Sequence, residues 1–480
     1  MQQAEGTGKD LPTITGSLEG AAAGPHSPEA SAQSPWRPHP LVLLFAVVLV
    51  VVGTALACLT ASAPPGSSSG PAGRVEQAVA VPGVVVVDPS PRSDQLDAAR
   101  TLLEARRVAV ESGRRDGWVA GLDPVAPGFR AEQEAVFDRI RLLPLRLFRY
   151  DVVGVEAASR PAAPAAVFVV HARLRYRLPG DSRDVVREQY VTVIRRGGAW
   201  FLSGIDEGRS DAAFWDLGAL TVEQGRHCLV VAVGWPAGSD PQLARTAAEV
   251  DAAAAEVDHV WGTGGPRSVV VLVPRNRALM AAALGRPDSA DLDQVAAVTS
   301  GELDRARSHL ATSTGAADRV VLNPGPFAKL TGLGRRVVLA HELTHVATRA
   351  VALLAPPLWV EEGMANYVAY RDAGLPPGLV AADVLPLVRQ GRAPAHLPST
   401  EDFDPAHGPI APAYADAWLA FQVMGEGHPE RPIAFYRLAV GLTGGPTTSE
   451  QALDLAFRRV LGTTQDGFEA SWRAYRQRLA

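Results

Sequence analysis

The alternation of hydrophobic and polar positions along the chain predicts two folded regions of different pattern. Residues 93–210 begin with two helical stripes and continue with four strand-like runs. In the run 173–178, arginines alternate with apolar residues, so one face of that strand is predicted to be buried and the other solvated. Turn residues at 179–181 and 196–198 indicate hairpins. This order predicts a small α+β domain.

From about residue 226, strands and helices alternate, and a mostly helical part follows. Asp240 and Pro241 have the residue types preferred at the N-cap and first position of a helix. A helix over 334–354 is predicted to stop before two prolines. The region 413–480 has helical periodicity throughout. The strands predicted before these helices are 227–233, 269–273 and 319–322.

The helix over 334–354 contains the pentapeptide His341-Glu-Leu-Thr-His345, whose neighbours are nearly all apolar. Residues four apart lie on the same face of a helix, so His341 and His345 can bind one Zn²⁺ together, with Glu342 beside them as a general base. The alternative is a pair of core histidines bonded to the backbone. Because unpaired polar groups in a buried helix cost several kcal/mol, the pattern favours a metal site.

A second segment, Trp359-Val-Glu-Glu362-Gly363, opens the next helical stretch. Together with the pentapeptide, it resembles the gluzincin metallopeptidases, including the aminopeptidase-N-like and thermolysin-like branches. The resemblance covers residues 226–480 and implies a zincin-type α+β peptidase domain with Glu362 as the third zinc ligand. Glu361 is expected to be solvated or to lie at the helix start.

The same resemblance implies further roles near this site. Tyr414 would donate a hydrogen bond to the developing oxyanion, unless it is a packing residue, and His407 is the fallback donor. Asn366 would steady a ligand imidazole or lie on the helix surface, and Tyr367 is expected in the core. The strand near Val320 would align an extended peptide. The chain lacks the Gly-x-Met-Glu-Asn motif of true aminopeptidases, so an aminopeptidase is not predicted.

The order of elements in residues 93–210 is similar to the cone-shaped domains of the nuclear-transport-factor and SnoaL-like type. Such cones often hold a ligand, but no catalytic constellation is visible in this region. His171 is expected on a strand surface. Cys228 is expected to be a buried small residue rather than a nucleophile. Two cysteines, one of them in the apolar N-terminal segment, predict no disulfide framework.

The segment 41–61 is uncharged and long enough to span a bilayer as a helix. It predicts a single-pass anchor, with residues 1–40 as a disordered cytoplasmic tail and 62–92 as a linker. Arg37 precedes the span and no basic residue follows until Arg74, which favours an extracytoplasmic C-terminal part in the cell membrane. A cleaved signal peptide and a lipoprotein processed at Cys58 are the alternatives.

Composition narrows the possible partners. A net charge of −5 over 480 residues, with no basic stripe, argues against nucleic acid as a partner. The sequence therefore predicts a membrane-anchored zinc metallopeptidase acting on a peptide or protein. One alternative is a tethered, non-catalytic binding protein with a structural zinc site. The other is a zinc hydrolase of a non-peptide substrate.

Overall fold

The computed structural model describes residues 91–157, 167–206, 208–262, 268–285, 292, 295–301 and 317–480. The predicted tail and membrane span, and the predicted linker up to residue 90, lie outside these residues. Within the described part of the chain, no helix has both the length and the apolar character needed to cross a bilayer. The chain has a mixed α+β fold, as the sequence predicted, and its described residues form two sheets.

The small domain, residues 91–216, consists of three helices followed by an antiparallel four-stranded sheet. Along the second strand, buried and partly exposed residues alternate as predicted. The turn between the last two strands contains Gly197 and Gly198 at φ of 56° and 88°, values that glycine adopts without strain. The elements are α1 (Pro91–Ser112), α2 (Arg115–Ala120), α3 (Pro127–Ile140), β1 (Leu147–Ala157), β2 (Val167–Arg177), β3 (Val185–Arg196), β4 (Ala199–Ile205) and a 3₁₀ turn at Phe214–Asp216.

The C-terminal region, residues 220–480, contains a mixed five-stranded sheet in the order β5-β6-β7-β9-β8 and a helical half. Strands β6, β7 and β9 are parallel, whereas β5 and β8 are antiparallel edge strands among the described residues. The elements of the sheet layer are β5 (Leu220–Gln224), β6 (Cys228–Val233), α4 (Leu243–Trp261), β7 (Val269–Pro274), α5 (Arg277–Ala283), β8 (Ala297–Gly301) and β9 (Asp318–Leu322).

The helical half follows β9, and its central helices carry the candidate site. Residues 413–480 are mostly helical, as predicted. The elements are α6 (Pro324–Lys329), α7 (Gly332–Arg349), α8 (Leu358–Tyr370), α9 (Pro377–Val380), α10 (Leu385–Arg389), a 3₁₀ turn at Glu401–Phe403, α11 (Ala411–Gly425), α12 (Arg431–Ala439), α13 (Ser449–Ala456), a π-helical turn at Phe457–Leu461 and α14 (Gln465–Leu479).

The five-stranded sheet is buried on both faces. On β6, Val230 belongs to the core cluster that includes α4 and α7, whereas its neighbour Val231 belongs to the cluster that includes Tyr176 and Trp215 of the small domain. Consecutive side chains of a strand point to opposite faces, so the small domain and the helices cover the two sides of one sheet. Continuous apolar runs such as β6 and β7 are the sequence signature of strands buried in this way.

Four features of the fold differ from the sequence-based expectations. Val320 was expected to align a peptide, but it lies on β9 between β7 and β8, so its backbone has no free edge. Strand β8, at the edge of the sheet among the described residues, was not predicted. The helix expected to start at Pro241 starts at Leu243, because Asp240 Oδ1 accepts a hydrogen bond from Gln242 N in a turn. Helix α7 ends at Arg349 because the N–H groups of the residues 353 and 354 donate to Val440 O at 3.0 and 3.1 Å.

A buried ion pair joins the small domain to the sheet. The two carboxylate oxygens of Asp181, in the β2–β3 turn, accept hydrogen bonds from Arg319 of β9 at 2.5 and 2.8 Å, and both side chains are 2% exposed. The preceding residue, Gly180, has φ of 93°, and a Cβ there would lie 2.0 Å from Ser268 O. The turn therefore needs glycine at 180 to bring Asp181 to Arg319.

We expect Asp181→Ala to lower the free energy of unfolding by about 3–5 kcal/mol, because it removes the carboxylate from a buried ion pair whose guanidinium stays buried. Asp184→Ala is the matched control, since Asp184 pairs with Arg177, whose side chain is 42% exposed. That change should cost less than about 1 kcal/mol. Urea unfolding measures both, and equal losses would contradict a special role for the buried pair.

Candidate metal centre

Helix α7 positions the pentapeptide within the core. Its first turn is capped by Thr331, whose hydroxyl accepts a hydrogen bond from Gly334 N at 3.1 Å. His341, Glu342 and His345 are 0–1% exposed. Because α7 packs against the sheet, α4 and α8, polar side chains on it must find their partners inside the protein.

Helix α8 brings the third side chain of the cluster to the pentapeptide. Glu362, one turn from the start of α8, is fully buried. The next residue, Gly363, faces α11 so closely that a Cβ would lie 2.6 Å from the Phe421 ring and 2.7 Å from Ala417 O. The absence of a side chain at 363 thus sets the close approach of α8 and α11, and with it the position of Glu362.

The distances among His341, His345 and Glu362 fit a single tetrahedral ion. The two Nε2 atoms lie 3.0 Å apart, and Glu362 Oε2 lies 3.2 Å from His341 Nε2 and 3.5 Å from His345 Nε2. Three ligands bound to zinc at its usual distances of about 2.0–2.2 Å would be about 3.3–3.5 Å apart. Among the described residues, these three side chains form the group whose ligand atoms lie close enough together to hold a metal ion.

Hydrogen bonding turns the ligand atoms of the cluster toward one another. Asn366 Oδ1 lies 2.8 Å from His341 Nδ1 and accepts its proton, so Nε2 is the ring nitrogen that faces His345 and Glu362. The carboxylate of the fully buried Glu362 lies against the two imidazoles and accepts no other hydrogen bond among the described residues. Two ring nitrogens and one carboxylate that converge in this way are compatible with zinc.

The electrostatics of the cluster favour an anionic Glu362. Burial opposes the ionisation of this carboxyl, but the adjacent His345 and His341 outweigh it and lower the pKa of Glu362 to about 2. For Glu342, burial raises the pKa, while His341 and a hydrogen bond from Thr299 act in the opposite direction. The two buried carboxyls of the site are thus shifted in opposite directions.

The remaining predicted residues occupy the following positions. Tyr414 lies near the start of α11 and is 7% exposed. Its burial raises the pKa of the phenol, and so do the nearby carboxylates of Glu362 and Glu342, which are therefore within electrostatic reach. His407, in contrast, is 58% exposed and pairs with Asp404, so it is not part of this cluster.

Glu361 lies in the first turn of α8, as expected, but is paired rather than solvated. Its Oε2 lies 3.7 Å from Nη2 of Arg349, and both side chains are largely buried. Tyr367 is buried in the core. No role for Arg349 was predicted, because basic residues near the end of a helix are common on surfaces.

Two residues outside the cluster lie where the sequence placed them. His171 is on the more exposed face of β2, where its ring stacks on Tyr190 and bonds to Glu188. Cys228 is fully buried, and burial raises the pKa of its thiol to about 12. Neither arrangement indicates a nucleophile or a base.

No family model matches the chain, and neither does any curated protein. Similar solved structures include a mutant M1 zinc metallopeptidase from Deinococcus radiodurans, 16% identical with a TM-score of 0.32, covering 59% of this chain and 58% of that one. A second, from the same organism and bound to a Tyr-Ser-Ala substrate, is 14% identical with a TM-score of 0.31, covering 62% and 61%. A third, a two-domain mutant bound to L-arginine, is 15% identical with a TM-score of 0.31, covering 59% and 58%. Each match spans less than two thirds of the other protein, and TM-scores this low establish no common fold.

We expect Asn366→Leu to weaken zinc binding about 10- to 100-fold, because it removes the acceptor that orients the His341 ring. Asn366→Asp is the matched variant, since it keeps an oxygen for the Nδ1 proton, and it should retain most of the affinity. Competition with a chelator of known affinity measures both. Equal affinities of the wild type and the Leu variant would make Asn366 an ordinary buried residue.

Proposed function

We propose that this protein is a zinc-dependent hydrolase of peptide bonds, a metallopeptidase. The observation that supports this most directly is a buried carboxylate beside the three candidate ligands that is not one of them. Glu342 is fully buried, and its Oε1 has no hydrogen-bond partner. A structural metal site has no use for such a group, whereas hydrolysis needs a base next to the metal.

In the proposed mechanism, His341, His345 and Glu362 hold the metal and Glu342 moves the proton. A bound zinc ion would act as a Lewis acid toward water and the scissile carbonyl. Glu342 Oε1 accepts the proton that the attacking water loses and returns it to the leaving amine. The phenol of Tyr414 donates a hydrogen bond to the oxygen on which negative charge develops.

The number of ligands also favours catalysis over a structural site. Structural zinc sites are almost always closed by four protein ligands, whereas catalytic sites have three and leave one position for water or substrate. Within the part of the chain that the structure describes, the group contains three residues. This arrangement argues against the non-catalytic alternative.

A peptide is the proposed substrate because β8, an edge strand among the described residues, lies beside the site. Strand β8 pairs with β9 on one side, and Thr299 in the middle of β8 contacts Glu342. An extended peptide can add to such an edge through backbone hydrogen bonds, which would align a scissile bond without requiring a particular side chain. This role replaces the one that the sequence assigned to the strand near Val320.

We propose further that residues 41–61 anchor the protein in the cell membrane, with the C-terminal region outside the cytoplasm. The proposal is supported by the uncharged segment and by Arg37 on its N-terminal side. An envelope protein or peptide would then be the substrate. Protease protection of the C-terminal region in intact cells would contradict this orientation.

The purified protein should contain close to one zinc per chain, and His345→Ala should lose it, because two remaining ligands bind zinc weakly. His396→Ala is the matched control, since that side chain is 82% exposed and lies outside the cluster.

Glu342→Gln should keep the metal and lose cleavage of a broad peptide library by several orders of magnitude, because the amide cannot accept the proton. If wild type and Glu342→Gln are equally inert while both bind zinc, the peptidase proposal is wrong.

Tyr414→Phe should lower kcat about 100-fold or more with little change in zinc content, because only the oxyanion contact is lost. Tyr367→Phe is the matched control, a buried phenol expected to leave cleavage unchanged. Steady-state kinetics on one cleaved peptide measures both. Equal rates for Tyr414→Phe and wild type would assign Tyr414 to packing.

A further inference from the structure

The hydroxyl of Thr299 makes a short contact with the candidate base. Thr299 lies on the edge strand β8 and is 1% exposed. Its Oγ1 lies 2.5 Å from Glu342 Oε2 and 3.2 Å from the backbone oxygen of Glu342. A hydroxyl has one proton to donate, and the shorter contact, to a carboxylate, is the stronger hydrogen bond.

The two oxygens of Glu342 are therefore not equivalent. Oε2 accepts the Thr299 hydroxyl, whereas Oε1 has no partner although the side chain is fully buried. The last torsion of a glutamate is broad, so an unrestrained carboxylate would rotate and present either oxygen. Fixing Oε2 restricts this rotation and leaves Oε1 as the oxygen available to a proton.

Thr299 is itself held in place from two sides. Strand β8 pairs it with Val320 of β9, and Arg349 Nη1 donates to its carbonyl oxygen at 3.3 Å. Arg349 is restrained in turn by Glu361, the residue next to the candidate ligand Glu362. These contacts join α8, α7 and β8, so the position of the Thr299 hydroxyl is tied to that of the cluster.

We propose that Thr299 is a positioning residue for Glu342: its hydroxyl binds Oε2 and so directs Oε1 toward the attacking water. The catalytic part of this inference rests on the proposed function. The contact between Thr299 and Glu342 is a separate claim that can be tested without activity. A purely structural role predicts lost stability alone, whereas positioning predicts a lower kcat in protein that is folded and metal-bound.

The kinetic test compares Thr299→Val, which keeps the shape and removes the donor, with Thr299→Ser, which keeps the donor. Thr299→Val should lower kcat about 10- to 100-fold at unchanged KM and zinc content, because a misoriented base affects the chemical step. Thr299→Ser should recover most of this loss. Thr246→Val, at a buried threonine of α4, is the matched control and should leave kcat unchanged. A Thr299→Val variant with wild-type kcat would overturn the inference.

The second test uses metal-free protein and needs no substrate. Thr299→Val is combined with Glu342→Met, which keeps the side-chain length and removes both oxygens, in a double-mutant cycle followed by urea unfolding. The hydrogen bond predicts a coupling of about tenfold in the unfolding equilibrium constant. A coupling factor near one overturns the inference, whether or not the wild type cleaves peptides. An inert wild type with the coupling intact would instead overturn the peptidase proposal and leave the contact established.

Discussion

The burial of four polar side chains on neighbouring helices is the constraint on which the site depends. His341, Glu342, His345 and Glu362 are all at most 1% exposed, and burying charged or polar groups without partners costs several kcal/mol each. Some of this cost is offset within the protein, through Asn366 and through the attraction between the imidazoles and Glu362. The ligand atoms that converge at the centre of the cluster are where a bound cation would contribute to folding as well as to chemistry.

The surrounding fold provides rigidity at this point. Helix α7 is packed between the sheet and the other helices, α8 approaches α11 at Gly363, and β8 holds the far side of Glu342 through Thr299. Four elements, β8, α7, α8 and α11, thus hold the buried side chains of the site in place. Groups held on helices and strands keep their geometry better than groups on loops, which suits a reaction that depends on the direction of a proton transfer.

Much of the helical part of the site was predictable because short segments of the sequence identify its residues. The spacing of His341 and His345 and the segment around Glu362 identify three side chains that the structure brings together, and the strands β6 and β7 are marked by continuous apolar runs. Strand β8 was not predicted, because five residues, Ala-Val-Thr-Ser-Gly, carry no clear alternation and the strand is defined by pairing with β9. The short apolar run ahead of Thr299 was the only available signal. The end of α7 likewise depends on Val440, which is about 90 residues away in sequence.

The sharing of one sheet by two regions has a consequence for how the chain is made. The apolar face of the small domain, including Tyr176 and Trp215, is covered by residues such as Val231 and Val321 that come later in the chain. During synthesis this face is not fully covered until β9 has emerged, on the order of ten seconds after β4 at typical elongation rates. A partly synthesised chain therefore exposes an apolar surface on the small domain. Shortening the chain before β9 would leave part of that surface uncovered permanently.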